Sequence, residues 1–158
     1  MVVLRGLLLL VAVLATVTVA SRSPVLLPDL ALPVVVAAGL LVGPSRGALV
    51  GLAAGWLTDL VPPGSPVLGT SALLYAVVGL VAGSGRREGI SPVGWLAVVS
   101  VGCAATLGGG RVLVALLSGA PVRLEAVGAW FVLTTGCCVL MVPWLVRLEQ
   151  WLGRRRAW

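Results

Sequence analysis

The sequence predicts an all-α integral membrane protein whose six transmembrane helices form one bundle. Of its 158 residues, 59% are hydrophobic and only 10% are charged, whereas a soluble domain carries about 25% charged residues. The mean hydropathy is +1.14. The apolar residues also gather into segments close to the roughly 20 residues that a helix needs to cross a bilayer. Too little charge remains to cover a water-facing surface.

Six apolar segments are separated by short polar or Pro/Gly-rich stretches, and each is predicted to be one span. The third and fourth are short for a span, and the turn at 62–66 between them predicts antiparallel neighbours. The predicted spans are residues 2–20, 26–43, 46–61, 67–83, 92–117 and 126–146. Residues 1–146 are therefore expected to form a single transmembrane domain, followed by a basic cytoplasmic tail over 147–158.

The two ends of the chain each leave an alternative open. Arg5 precedes an apolar run, and residues 18–20 loosely resemble a signal-peptide cleavage site, but the run over 6–20 is long for a signal peptide and favours a retained span. The tail has apolar residues at helical spacing with arginines on another side. It is expected either to lie along the cytoplasmic membrane surface, held by anionic lipid, or to fray into water.

The arginines predict the orientation of the bundle. All eleven basic residues are Arg, and with six spans and a cytoplasmic N-terminus eight of them lie inside. Arg22 and Arg123 then lie outside, and Arg111 lies within a span. Because excess basic charge marks cytoplasmic loops, both termini are predicted to be cytoplasmic. The dispersed charge indicates membrane lipid as a partner and not nucleic acid.

Glycines recur at helical spacing on two neighbouring segments. Gly47, Gly51 and Gly55 lie on one face of the third predicted helix, and Gly79 and Gly83 form a similar pair on the fourth. Small residues let helix backbones approach closely in lipid, which increases their dispersion contacts. These faces are expected either to pack within one subunit or to form an interface with a partner's transmembrane helix or a second copy of the chain.

Three charged residues lie in or near predicted spans, toward the same outer leaflet: Asp29, Asp59 and Arg111. An isolated charge at the bilayer centre costs about 2.5–3.5 kcal/mol, so such residues are usually paired or functional. We predict that Asp59 and Arg111 form an intramembrane pair. Asp29 is a second geometrically feasible partner for Arg111, and independent extension of each side chain to the interface is the remaining alternative.

The residues needed for catalysis are scarce. The chain has no His and no Lys, and it has five carboxylates, so neither a nucleophile with its base nor an acid–base pair is evident. Its three cysteines lie in apolar runs without a CxxC motif, and there is no phosphate-binding or dinucleotide motif. The sequence thus predicts no catalytic residues, no metal site and no cofactor.

Residues 26 to 83 carry a recognisable pattern. A Pro-Asp-Leu helix start at Asp29 is followed by the glycine-spaced helix that ends near Asp59, then by Leu68 and Gly69 leading into a helix that contains Tyr75. This pattern resembles the MreD family, the small membrane subunit of the bacterial rod-shape system, or elongasome. The resemblance covers about a third of the chain and implies that Asp29, Asp59, Leu68 and Gly69 are signature positions.

Membership of that family would imply a non-enzymatic scaffold in the bacterial plasma membrane. Such a protein binds MreC, a bitopic protein, and helps organise peptidoglycan synthesis by RodA-type polymerases and class B penicillin-binding proteins, and thereby cell shape. The family is similar in fold to the substrate-binding S components of energy-coupling-factor vitamin transporters, and residues 43–51 also resemble an S-component helix start. An S component is the alternative function, although one Tyr and one Phe offer little for a vitamin pocket.

Overall fold

The computed structural model describes residues 11, 28–60, 69–87, 92–119, 121 and 123–155, with side chains up to Leu148. Within these residues the chain is all-helical, with five helices that connect in sequence order. They are α1 (Ala31–Val42), α2 (Pro44–Leu60), α3 (Thr70–Ser84), α4 (Val93–Leu117) and α5 (Leu124–Arg155).

The prediction of a six-span bundle is wrong. Two of the described helices are long and apolar enough to cross a membrane, namely α4 and the Leu124–Leu148 part of α5. Helices α1, α2 and α3 have 12, 17 and 15 residues. At about 1.5 Å per residue they reach roughly 18–25 Å, less than the roughly 30 Å thickness of the hydrocarbon core.

The predicted orientation of the termini and the predicted helix arrangement also depended on six spans. The assignment of both termini to the cytoplasm and the S-component-like arrangement lose their basis with the span count. The first predicted span, 2–20, lies outside the described residues except for Val11, which is helical, and the turn at 62–66 lies outside them entirely. At the other end, α5 continues past residue 146 to Arg155, so the predicted tail begins as part of this helix.

Local backbone chemistry explains why the first helices are short. Gly43 ends α1 with a φ of 91°, a conformation that other residues rarely adopt, and its N–H donates to the Gly39 carbonyl at 2.9 Å. Pro44 follows at once as the first residue of α2, where its missing N–H costs no hydrogen bond. The apolar stretch is therefore divided into two helices that meet at a sharp corner.

Helix α1 is the centre of the described structure. Ten of its twelve residues are buried, and it contacts all four other helices. This burial explains why α1 is apolar all round instead of on one stripe. Around it, α2 packs most closely on α3, and α4 packs on α5.

The outer faces of the helices are apolar. On α2, Leu49, Leu52, Trp56 and Leu60 recur at helical spacing and all are exposed, Leu49 by 67%. On α5, Leu140 is 78% exposed. Contiguous exposed apolar surface of this kind marks a protein or lipid contact.

Candidate functional site

The glycine ladders of α2 and α3 face each other, and we call Gly47, Gly51, Gly55, Gly79 and Gly83 the glycine seam. A Cβ atom added to Gly51 would collide with the Tyr75 carbonyl, and one added to Gly79 would collide with the Gly47 carbonyl. A Cβ atom added to Gly55 would likewise overlap the backbone of Ala72, and one added to Gly83 would overlap that of Pro44. These faces are thus occupied inside the subunit, which leaves no room for a partner helix there.

Asp59 joins the end of α2 to the start of α3. Its Oδ2 accepts hydrogen bonds from the backbone N–H groups of Gly69 at 3.0 Å and Ala72 at 3.3 Å. The first N–H groups of a helix have no partner within the helix, and its N-terminus carries positive partial charge, so a carboxylate stabilises it. Gly69 has a φ of 93°, which suits glycine. Of the four residues implied as signature positions, Asp59 and Gly69 are in contact, and Leu68 lies outside the described residues.

Replacing Asp59 by alanine should destabilise the protein by about 1–2 kcal/mol, the usual cost of losing a helix cap. Asp59→Asn should lose less, because an amide oxygen still accepts a hydrogen bond. Thermal unfolding in detergent measures the difference. Glu125→Ala is the control, since Glu125 is an exposed carboxylate in the first turn of α5. Equal losses for Asp59→Ala and Glu125→Ala would contradict the capping role.

Asp29 is the centre of a polar cluster between four helices. Arg111 Nη2 donates to Asp29 Oδ2 at 2.8 Å, and the Tyr75 hydroxyl donates to the same oxygen. The Ala31 N–H donates to Asp29 Oδ1 at 3.2 Å, and the Asp29 N–H donates to the hydroxyl oxygen of Thr134 at 3.3 Å. This Asp29 cluster therefore ties the start of α1 to α3, α4 and α5.

The partner of Arg111 differs from the one predicted. The sequence predicts Asp59 as this partner, but the described structure pairs Arg111 with Asp29, the second feasible partner. The reason is the central position of α1, which brings Asp29 next to α4, while Asp59 lies at the α2–α3 connection. Tyr75 and Thr134 were not predicted as members of the site. The Tyr75 hydroxyl, in the apolar middle of its helix, is the available signal, since buried Tyr hydroxyls usually have a partner.

The Asp29 cluster is built to hold helices together. Asp29 and Thr134 are buried, Tyr75 is fully buried, and each has its polar atoms engaged in the contacts above. Among the described residues no group of three or more His, Cys, Asp or Glu could hold a metal ion. The three cysteines are free thiols.

A cavity of about 410 Å³ opens between α4 and α5. The guanidinium of Arg111 lies 4.9 Å from the centroid of the Trp130 ring on one side of it, which is within the range of a cation–π contact. The residues that line it are Gly108, Arg111, Val112, Ala115, Pro121, Arg123, Ala126, Val127 and Trp130.

A second cavity of about 390 Å³ is lined by Trp56, Asp59, Leu60 and Gly69. Trp56 and Asp59 therefore line a cavity at the α2–α3 connection, whereas Arg111 and Trp130 line the one between α4 and α5.

The comparisons with known proteins identify no family for this chain. Protein-family models, curated proteins and solved structures were each compared with the chain, and none of them matches it.

Proposed function

We propose that the chain is a non-catalytic scaffold subunit of the bacterial cell-elongation machinery in the plasma membrane. It binds an MreC-like bitopic protein and, through it, helps organise peptidoglycan synthesis by a RodA-type polymerase and a class B penicillin-binding protein. Cell shape is the property that this assembly maintains. The proposal extends the resemblance of residues 26–83 to the MreD family, and it does not depend on a count of six spans.

The observation that supports it best is the contact between Asp59 and Gly69. These two residues are ten positions apart, and both belong to the resemblance. The glycines between the two ends of the pattern pack α2 on α3. The residues of the pattern therefore pack and cap one helix pair. A chance similarity of composition would not be expected to place its residues in contact with one another.

A location in the membrane, with α4 and α5 crossing it, is supported by the distribution of polarity. Both helices pass the length and composition requirement for a span. The Asp29 cluster turns charged and hydroxyl groups inward, while leucines and tryptophans such as Leu140 and Trp144 face outward. Lipid is the solvent that suits this arrangement.

A role without catalysis is supported by the contacts that the polar side chains make. Asp59 caps α3, and Asp29 is bonded to both Tyr75 and Arg111. Groups engaged in this way stabilise the fold, and they do not form the nucleophile and base that hydrolytic chemistry requires.

The partner's span is assigned to the exposed face of α2. Because the glycine seam is occupied by α3, the opposite face of α2 is the one available for a partner. Leu49, Leu52, Trp56 and Leu60 form this face, which we call the α2 outer face. Among these, Trp56 is of a residue type that is enriched at the energetic centres of interfaces.

A photo-activated cross-linker at Leu52 tests the assignment in native membranes. We expect an adduct with a single-span protein that has a large extracytoplasmic domain. The matched control is the same cross-linker at Leu140, on the exposed face of α5, which should give little of that adduct. An adduct at Leu52 with the coupling subunit of an ABC transporter would replace the scaffold by the S-component alternative. No adduct with a single-span protein would contradict the proposal.

A further inference from the structure

We propose that the cavity between α4 and α5 binds an anionic phospholipid, with its phosphate at the arginines and the adjoining apolar part of the molecule against the cavity wall. The proposal depends on the membrane location given under the proposed function, but not on the role in cell elongation. The described residues that line this cavity come from 108–130, which lie outside the sequence pattern of residues 26–83.

The charged side chains that line the cavity are basic. They are Arg111, which is paired with Asp29, and Arg123, and no other described residue of the lining is charged. Glu125 lies nearby, but it lines a neighbouring cavity together with Arg123. Ala126 and Val127, in the first turn of α5, form part of the wall, so the positive end of that helix adds to the field of the two guanidinium groups.

Arg111 is oriented for a ligand. Its ion pair with Asp29 uses Nη2, whereas a guanidinium presents several N–H donors in a fixed plane. The side chain remains 42% exposed, and the Trp130 ring lies against it. The donors that Asp29 does not use can therefore bind a phosphate, one of the two groups whose geometry a guanidinium matches.

The rest of the cavity favours an amphiphile over a free anion. Val112, Ala115, Pro121 and Val127 present apolar surface. The volume of about 410 Å³ lies within the range of about 300–1,000 Å³ that is typical of sites for drug-sized ligands. A single inorganic phosphate would leave most of this space and all of this apolar surface without contact.

Native mass spectrometry of the purified chain in a neutral detergent tests the proposal. The probes are phosphatidylglycerol and phosphatidylcholine with identical acyl chains. We expect retention of phosphatidylglycerol over phosphatidylcholine. Arg123→Gln should weaken phosphatidylglycerol binding about fivefold, the effect of one basic residue at an anionic lipid surface. Arg147→Gln, which removes an exposed arginine of α5 far along the helix from the cavity, is the matched control and should leave binding unchanged.

Two further measurements separate this site from general charge attraction. Ala115→Phe fills the cavity and should abolish retention of phosphatidylglycerol while every arginine is kept. Soluble glycerol phosphate should not displace the lipid. Equal losses for Arg123→Gln and Arg147→Gln, full retention in Ala115→Phe, or displacement by glycerol phosphate would each overturn the proposal. The cross-linking result at Leu52 is independent of all of these, so failure of the lipid site and failure of the scaffold role can be distinguished.

Discussion

Replacing Gly51 by leucine is expected to prevent α2 from packing on α3 and to abolish the folded protein. A Cβ atom at Gly51 would overlap the backbone carbonyl of Tyr75. Extra methylene groups in a well-packed core cost about 1–3 kcal/mol when side chains can adjust. Here the obstacle is backbone, so we expect a loss of more than about 3 kcal/mol. Fluorescence-detected gel filtration and thermal unfolding in detergent measure the effect.

Gly102→Leu is the matched control for this substitution. Gly102 lies on the exposed side of α4, and a Cβ atom there meets no other atom within 4 Å. The same leucine should therefore leave the elution profile and the unfolding temperature close to those of the wild type. If Gly51→Leu were as stable as Gly102→Leu, the glycine seam would not be the contact between α2 and α3, and those faces would again be open to a partner.

Asp29→Ala is expected to cost about 3 kcal/mol, at the lower end of the range for breaking a buried ion pair because Arg111 is partly exposed. The substitution removes the carboxylate that accepts from both Arg111 and Tyr75. It leaves a guanidinium and a buried hydroxyl without that acceptor, and it loosens the contact of α1 with three helices. The free energy of unfolding in detergent is the quantity to measure.

A pair of double-mutant cycles decides between the two acidic partners of Arg111. Asp29→Ala and Arg111→Ala should be non-additive by at least about 1 kcal/mol, because residues in one hydrogen-bond network couple. Asp59→Ala and Arg111→Ala should be additive within about 0.5 kcal/mol, as expected for residues that share no contact. Coupling between Arg111 and Asp59 with additivity at Asp29 would reverse the assignment made here.

The packing face of the α2–α3 helix pair could be predicted from the sequence, but the ends of the helices could not. The four-residue spacing of Gly47, Gly51 and Gly55 identifies a flat helix face without reference to a structure. Hydropathy, however, begins the second and fourth predicted spans at residues 26 and 67, whereas the corresponding helices begin at Ala31 and Thr70. Asp29 bonds to the Ala31 N–H just before α1, and Gly69 turns the chain just before α3. Caps and turns of this kind shorten helices without changing how apolar the segment is, so counts of spans taken from hydropathy were too high.

The sequence could not identify the acidic partner of Arg111, and the reason is geometric. The sequence places Asp29 and Asp59 toward the same outer leaflet, so depth alone does not distinguish them. The choice depends on the central position of α1, which is a property of the assembled helices. Tyr75 illustrates the same limit: its hydroxyl needs a partner, but only packing of α3 beside the start of α1 shows that the partner is Asp29.

Alkaline carbonate extraction of cell membranes tests whether lipid surrounds the exposed apolar faces of these helices. We expect the chain to stay in the membrane pellet with integral proteins and to be released only by detergent. Recovery of the chain in the carbonate supernatant, folded and without detergent, would contradict it. In that event the exposed leucines of α2 and α5 would have to be covered by protein, and both the scaffold and the lipid site would fail together.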